Sequence, residues 1–163
     1  MTNIRHFTAT GFIIHKDHVL LHWHKKVKEW LPPGGHIEPN EDPMQAVIRE
    51  IYEETNLNVT VVPTHPSIQF DYPEQVHAPV TIMIEDIDDP IDGFHQHIDM
   101  IYFCRISNDK NSIPEGWIWI SKDEISNRKS ISNGKDIAKP PPNDVTLLAL
   151  QAFEIIKNDN AYC

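Results

Sequence analysis

The chain is poor in cysteine: its 163 residues include only Cys104, inside an apolar run, and Cys163, at the end. This pair gives neither a disulfide framework nor the spacing of a cysteine metal site. The chain also lacks any apolar run near the roughly 18 residues that a membrane-spanning helix needs. No signal-peptide core follows Met1. We therefore expect a cytoplasmic protein that has no membrane partner.

Positive charge is scarce as well, with 14 Lys and Arg residues against 24 Asp and Glu residues and a formal net charge of −10. Because long nucleic acid is bound through clustered positive side chains, we expect no long nucleic acid as a partner. Small phosphorylated ligands are not excluded, since a bound divalent metal can make the local electrostatic potential positive. The densest positive cluster, Lys25, Lys26 and Lys28, is either a solvated strand end or a phosphate-steering group.

Histidine is plentiful, but its ten copies show no repeated metal-ligand spacing. His22 and His24 alternate and so share one strand face, with Trp23 between them facing the core. The sequence therefore does not favour a histidine metal site.

The remaining composition, 40% hydrophobic and 23% charged, is that of an ordinary globular protein. Apolar and alternating segments predict strands over residues 6–15, 18–25, 57–62, 78–84, 97–106 and 117–120. Gly11 is a candidate bulge in the first strand. We expect an acidic loop over residues 85–92 and a polar surface loop over residues 127–143.

Two longer helices are predicted, near residues 43–55 and over residues 144–157, and Ser121 caps a short helical turn. The order is a hairpin, a helix, several strands and a closing helix. It predicts one domain over residues 1–163, of class α/β with an α+β mixed sheet covered by helices on two sides.

The first long helix follows Pro32 to Gly35, a Pro-Pro-Gly-Gly stretch that predicts a turn where the backbone approaches a ligand closely. Asp42 is a predicted N-cap in a capping box, with Pro43 as the first helical residue. The helix should end at Thr55, with Asn56 in the left-handed cap.

Three carboxylates of this helix, Glu50, Glu53 and Glu54, stand at positions i, i+3 and i+4. They must share one face, where like charges destabilise a helix by roughly 0.2–0.5 kcal/mol per pair. Only Arg49 in the helix offsets them. A bound cation would stabilise this face, whereas the alternative is a solvated acidic face, which is common on amphipathic helices.

Residues Gly35 to Leu57 resemble the Nudix box of the Nudix hydrolase family. That pattern is Gly, five residues, Glu, seven residues, Arg-Glu, an aliphatic, any residue, Glu-Glu, any residue, Gly and an aliphatic. The matching positions here are Gly35, Glu41, Arg49, Glu50, Ile51, Glu53, Glu54 and Leu57. Asn56 replaces the last glycine, and asparagine also accepts the left-handed conformation. Several fixed positions at fixed spacings favour a catalytic metal site over a solvated face.

The resemblance implies a Nudix-type α/β/α sandwich and a Mg²⁺- or Mn²⁺-dependent pyrophosphohydrolase. Such an enzyme cleaves a nucleoside diphosphate linked to another moiety, for example a nucleoside triphosphate or an ADP-ribose-like compound. The alternative is a catalytically silent Nudix-fold module that binds nucleotides. Many members dimerise, so the resemblance leaves a homodimer open, although no feature of the sequence shows an interface.

The resemblance further implies the roles of the site residues. The metal ligands would be Glu50, Glu53, Glu54 and the carbonyl of Gly34, and Glu50 or Glu53 would be the general base. Arg49 would orient a carboxylate, and Glu41 would brace the loop.

Other roles stay open from the sequence alone. A fourth acidic ligand would come from Glu115 or from the acidic segment with Asp86, Asp88 and Asp89. His36 either reaches a phosphate or is simply exposed. The candidates for stacking on a base are Trp30, Phe70, Tyr72 and Phe94.

Overall fold

The structure is a computed structural model that describes residues 4–66, 68, 70–91, 93–107, 112–132, 134 and 138–159. The strands of its large sheet are β1 (Arg5–His15), β2 (His18–His24), β3 (Glu29–Leu31), β4 (Gly34–His36), β5 (Val59–Val61), β6 (Thr81–Asp89), β7 (Gly93–Ile106) and β8 (Trp117–Ser121). A small second sheet pairs β9 (Ile131–Ser132) with β10 (Ala138–Lys139). The helices are α1 (Pro43–Thr55), α2 (Lys122–Ser126) and α3 (Asn143–Asp159).

The large sheet is mixed and is centred on β1 and β7, which run parallel over ten aligned residues, from Arg5 beside Gln96 to Ile14 beside Arg105. The other pairings are antiparallel: β2 and β4 with β1, β5 and β6 with β7, and β3 and β8 with β2. The mixed α+β sheet predicted from the element order is therefore confirmed.

Each face of the sheet carries its own apolar core because consecutive side chains of a strand point to opposite faces. On one face, Val47 and Ile51 of α1 pack against Ile13 and Tyr102. On the other face, Phe153 of α3 packs with Phe12 and Phe103, and Ile125 of α2 belongs to the same cluster. Helices thus cover the sheet on two sides, as the α/β/α prediction requires.

The caps of α1 are those predicted from the sequence. The side chain of Asp42 accepts hydrogen bonds from the backbone N–H groups of Met44 and Gln45, and Gln45 closes the capping box. Asn56 follows the last helical residue with φ 57° and ψ 17°. Asparagine tolerates this left-handed conformation, so the chain turns where the Nudix box has glycine.

The prediction of an acidic loop after residue 84 was wrong. Residues 85–89 continue β6 and pair one to one with β7, from Glu85 beside His97 to Asp89 beside Gly93; position 92 lies outside the described residues. The acidic composition argued against a strand, but alternate side chains, including those of Asp86 and Asp88, point to solvent. Exposed carboxylates do not oppose strand formation there.

Two glycine predictions were also wrong, for the same physical reason. Gly11 forms no bulge, since it stands in unbroken register beside Tyr102; instead, a β-carbon there would lie 2.6 Å from Ile51 Cδ1 of α1. The turn predicted from Pro32 to Gly35 does not include its glycines, because Gly34 and Gly35 have no positive φ and belong to β4. All three glycines are required for close approach of chain segments.

Smaller differences concern the lengths of elements. The strand predicted to start at residue 97 begins at Gly93, and the sequence did not predict β3 or β4. The polar segment over residues 127–143 contains the small β9–β10 sheet.

Among the described residues, no helix is long and apolar enough to cross a membrane. Cys104 is a buried free cysteine, and Cys163 lies outside the described residues.

Candidate functional site

The guanidinium group of Arg49 holds three carboxylates of the site. Its Nε and Nη2 donate to the two carboxylate oxygens of Glu41, each at 2.9 Å. Its Nη1 donates to Glu50 Oε1 at 2.8 Å and to Glu53 Oε2 at 3.3 Å. Two carboxylates bound to one nitrogen lie close together, so Arg49 places the acidic groups of Glu50 and Glu53 side by side.

Glu41 joins the loop before α1 to the helix. Besides its two bonds to Arg49, it accepts a hydrogen bond from the backbone N–H of Glu38 at 3.1 Å. The bonds from Arg49 hold the pKa of Glu41 below its usual value. In turn, the carboxylates of Glu41 and Glu50 raise the pKa of Arg49. These contacts are those expected of a residue that braces the loop.

Strand β4 presents one edge to α1 and the other to β1. Gly11 N–H donates to Pro33 O, and Ile37 N–H donates to Phe7 O. Because hydrogen-bonded and non-hydrogen-bonded positions alternate along an antiparallel pair, the backbone groups of Gly34 and His36 point away from β1. Towards α1, Gly34 N–H donates to Glu54 Oε2 at 3.3 Å and His36 O accepts from Arg49 Nη2 at 3.0 Å.

The two glycines of β4 allow this close approach in different ways. A β-carbon at Gly35 would overlap the carboxylate of Glu50, whereas a β-carbon at Gly34 would lie 2.7 Å from the backbone oxygen of Ala9. Gly35 therefore leaves room for a site carboxylate, and Gly34 leaves room for the neighbouring strand.

Glu54 is an acid of α1 with a raised pKa. Burial raises its pKa to about 7, the charges of Glu50 and Glu53 raise it as well, and the hydrogen bond from Gly34 N–H acts in the opposite direction. Glu54 is also the member of the helix face that lines an adjacent cleft of about 460 Å³. The helix face predicted from the i, i+3, i+4 spacing thus meets the cleft at Glu54.

Three further acids line the cleft, Glu85, Asp99 and Asp144, which the sequence did not indicate as site residues. Burial, followed by the charges of Asp99 and Asp144, raises the pKa of Glu85 to about 7. Asp99 is buried, with a raised pKa, and accepts a hydrogen bond from Thr8 Oγ1 at 2.9 Å. A lone carboxylate in the apolar strand 97–106 was the one signal in the sequence that pointed to this group.

Of the open fourth-ligand candidates, Asp86, Asp88 and Asp89 all line the cleft, whereas Glu115 does not. Asp89 lines the cleft, where it forms an ion pair with Lys26 of the positive cluster. Asp86 accepts a hydrogen bond from Gln96 Nε2 at 2.9 Å. Glu115 lies in an exposed turn before β8 and is not among the described residues that line the cleft.

The stacking candidates lie away from the cleft. Trp30 is fully buried in the core, where it packs edge-on against Trp23, so it cannot stack on a ligand. Phe70, Tyr72 and Phe94 are exposed. None of the four lines the cleft in the described part of the chain.

Four histidines from three strands come together at the edge of the cleft, although no sequence spacing predicted this. The ring atoms of His6, His95 and His97 that can bind a metal lie within 4.8 Å of one another. His36 Nε2 lies 3.3 Å from His6 Nδ1. By contrast, His22 stacks on Trp117 with ring centroids 4.3 Å apart.

The geometry of α1 and β4 agrees with a comparison against protein families, in which the model of the NUDIX domain matches residues 5–139. The chain belongs to the Nudix hydrolase family. The crystal structure of a NUDIX-family hydrolase from Clostridium perfringens is 31% identical, with a TM-score of 0.72 over 93% of this chain and 98% of that chain. The Nudix resemblance and fold are therefore confirmed.

Two curated relatives match shorter parts of the chain. The asymmetrical bis(5'-nucleosyl)-tetraphosphatase of Caenorhabditis elegans is 35% identical over 63 residues, which cover 35% of this chain and 46% of the relative. The 8-oxo-dGTP diphosphatase of Proteus vulgaris is 39% identical over 46 residues, which cover 28% of this chain and 41% of the relative. The matches thus span less than half the length of either relative.

The side chains of this Nudix box fit a hard divalent cation. Carboxylate and carbonyl oxygens are the ligands that Mg²⁺ and Mn²⁺ prefer. Glu50, Glu53 and Glu54 supply carboxylates, and Gly34 has its carbonyl directed away from β1. Among the described residues, Arg49 is the cation that pairs with these acids. The site therefore has both the donor atoms and the excess negative charge for a cation.

The raised pKa values of Glu54 and Glu85 predict that these two groups destabilise the metal-free protein as the pH rises. Both groups have a folded pKa of about 7 against an ordinary value of 4.5. Their contribution to the free energy of unfolding is complete below about pH 4.5. It falls as the unfolded chain ionises first, and it is lost as the pH passes the folded pKa. His22 and His97, whose pKa values are lowered from 6.5 to about 4, act in the opposite direction over the same range, so the effect of Glu85 is isolated by comparing variants: between pH 4.5 and 7 the Tm of the wild type in EDTA should fall relative to that of Glu85→Gln.

The measurement is a series of thermal melts in EDTA across this pH range. The Tm of Glu85→Gln minus that of the wild type should increase from pH 4.5 to 7, because only the wild type loses the contribution of Glu85 over this range. The matched control is Glu154→Gln, which replaces an exposed acid of α3 whose pKa is lowered by Lys122. The same pH dependence of the Tm in Glu85→Gln and in the wild type would contradict the prediction.

Proposed function

We propose that the protein is a metal-dependent pyrophosphohydrolase that cleaves a nucleoside diphosphate linked to another moiety. The observation that carries this proposal is the cluster of Glu50 and Glu53 on Arg49, with Glu54 bound to the backbone of β4 at the edge of a cleft. A module that only binds nucleotides has no need of this complete set.

The roles of the chain's own groups follow from their contacts. Glu50, Glu53, Glu54 and the Gly34 carbonyl would hold Mg²⁺ or Mn²⁺, which when bound offsets phosphate charge and acidifies water. Arg49 fixes the carboxylates of Glu50 and Glu53 and so preserves their geometry in the absence of substrate. Its bond to His36 O ties the helix to β4.

The contacts favour Glu53 over Glu50 as the general base. The side chain of Glu50 is 17% exposed and bonded to Arg49 at 2.8 Å, whereas that of Glu53 is 58% exposed with a longer 3.3 Å contact. Water therefore reaches the carboxylate of Glu53 more readily, whereas the carboxylate of Glu50 is held more closely by Arg49. This access favours Glu53 as the group that takes the proton of an attacking water.

The cleft gives the substrate an orientation. Phosphates fit beside Glu54, because the cation site of the Nudix box lies there. The part of the cleft lined by Glu85 and Asp99 repels phosphates when these acids are ionised. Burial raises the pKa of both, that of Glu85 to about 7, and a protonated carboxyl both donates and accepts hydrogen bonds. That part suits a nucleobase. The names of the curated relatives, a dinucleoside tetraphosphatase and an 8-oxo-dGTP diphosphatase, support nucleoside polyphosphates as the substrate class.

A hydrolysis panel tests this function. Nucleoside triphosphates, including oxidised ones, dinucleoside polyphosphates, ADP-ribose and nucleotide sugars would each be incubated with Mg²⁺, Mn²⁺ or EDTA. We expect turnover of at least one nucleoside polyphosphate with metal and none with EDTA. Nucleotide binding without turnover across the panel would favour the catalytically silent module instead.

We also propose a homodimer formed through the outer face of β6. Phe7, Ile82 and Ile84 are each more than half exposed there, and Ile98 connects them because it pairs with both Phe7 and Ile84. In the described part of the chain, β6 pairs on one side only, with β7. An exposed apolar row beside a strand edge favours self-association.

Light scattering coupled to size-exclusion chromatography tests the dimer. The wild type should elute as a dimer, and Ile84→Lys should shift it to the monomer mass. Ile91→Lys is the matched control, since Ile91 is 90% exposed and lies outside β6. A monomeric wild type would rule out this interface.

The cytoplasmic location, the single domain and the lack of long nucleic-acid partners stay predictions.

A further inference from the structure

We propose that His6, His36, His95 and His97 form a second metal site, for a transition-metal ion such as Zn²⁺, separate from the carboxylates of the Nudix box. The four imidazoles lie on β1, β4 and β7, and those of His36 and His97 line the cleft. Ring centroids of neighbouring members are between 4.9 and 6.1 Å apart.

Two of the distances between ring nitrogens match the edge of a tetrahedral site. With Zn–N bonds of about 2.0–2.1 Å, two ligand nitrogens on one tetrahedral edge lie about 3.3–3.4 Å apart. His95 Nε2 and His97 Nε2 are 3.3 Å apart, and His36 Nε2 and His6 Nδ1 are also 3.3 Å apart. The remaining separations among His6, His95 and His97 reach 4.8 Å, and small ring rotations would close them. His36 lies outside this group of three and would join it through the side of His6, by a larger movement of its ring.

The tautomer of His95 is set by the backbone. Its Nδ1 lies 2.9 Å from the carbonyl oxygen of Gly93, and because a carbonyl only accepts, Nδ1 must donate. In the neutral ring, Nε2 then carries the lone pair and faces His97. Metal-binding histidines commonly donate their other nitrogen to a backbone carbonyl in this way. His95 is also 4% exposed, so its ring is held in place by packing.

Strand pairing places the four rings before any ion binds. His6 stands directly beside His97 in the parallel ladder. His95 and His97 alternate on the same face of β7, and His36 pairs with Thr8, two residues after His6. The ligands therefore come from a sheet rather than from a loop, which lowers the ordering cost of binding.

The donor set selects the class of ion. Four imidazoles suit Zn²⁺, Ni²⁺, Cu²⁺ or Co²⁺, whereas Mg²⁺ and Mn²⁺ prefer the oxygen atoms of the Nudix box. An ion here would cross-link β4 to β1 and β7. Since His36 follows Gly35 and its carbonyl bonds to Arg49, the cross-link would also stiffen the strand that supports the Nudix box.

Direct metal binding tests the site on untagged, full-length protein. Metal-stripped protein would be titrated with Co²⁺ and followed by its visible absorption, and Zn²⁺ content would be measured after dialysis. We expect one tightly bound ion per chain and an absorption band typical of tetrahedral Co²⁺. His6→Gln and His95→Gln should each weaken binding by about 100-fold or more, beyond the 10–100-fold typical of outer-shell changes.

Two control variants distinguish binding at this cluster from binding at exposed histidines or at the Nudix box. His65→Gln removes an exposed histidine whose partner is Thr64 and should bind Co²⁺ as the wild type does. Glu53→Gln should keep the band, because it alters only the Nudix box. His6 is only partly buried, so His6→Gln stays informative if His95→Gln does not fold. A wild type without the band, or a band lost in Glu53→Gln and kept in His6→Gln, would overturn the proposal.

Discussion

Replacing Glu53 by Gln should lower the turnover of a nucleoside polyphosphate by about 10²- to 10⁴-fold, the range expected for loss of a general base. Glutamine keeps the size of the side chain and can still accept the bond from Arg49, but it binds a proton and a cation poorly. The side chain of Glu53 is 58% exposed, so the Tm should stay near that of the wild type. The loss should appear mainly in kcat.

Steady-state kinetics with saturating Mg²⁺, together with thermal melts, would check this expectation. Glu154→Gln is the matched control, because Glu154 is an exposed acid on α3, where it pairs with Lys122. It should keep full activity. A folded Glu53→Gln variant with turnover within a few-fold of the wild type would refute the role of Glu53. If Glu50→Gln then lost nearly all turnover in the same experiment, Glu50 would be the general base instead.

Replacing Gly35 by Ala should reduce turnover by about 100-fold, the loss that a 1 Å misplacement of a catalytic group can cause. The added β-carbon would overlap the carboxylate of Glu50. A carboxylate at the end of a flexible side chain can move aside, so folding should tolerate the change. Glu50 would then lose its bond to Arg49 Nη1, and the acidic cluster would lose its geometry.

Gly34→Ala is the informative comparison, because it adds the same methyl group one residue earlier. Its β-carbon would lie 2.6 Å from Thr10 Oγ1 and 2.7 Å from Ala9 O, and backbone cannot move aside cheaply. Overpacking of this kind costs about 1–3 kcal/mol, so this variant should show a lowered Tm. Kinetics and melts of both variants check the pair. Wild-type turnover in Gly35→Ala, or an unchanged Tm in Gly34→Ala, would contradict this account.

The sequence by itself determined the features whose partners are near in the chain. The caps of α1, from Asp42 to Asn56, and the shared face of Glu50, Glu53 and Glu54 depend on contacts between residues a few positions apart. Helical periodicity and capping chemistry are local and can be read from residue types alone. The fixed spacings of the Nudix box indicated the family, and the comparisons confirmed it.

The tertiary structure decided the features that depend on strand register. Thr8 and Asp99 hydrogen-bond across 91 positions, and His6 meets His97 at the same separation. β4 became a strand only because β1 offers it a pairing edge, and the acidic residues of β6 became strand residues through β7. No local pattern encodes which distant residues pair, because register is set by the burial of whole strand faces. The cleft acids and the histidine cluster therefore emerged only from the assembled sheet.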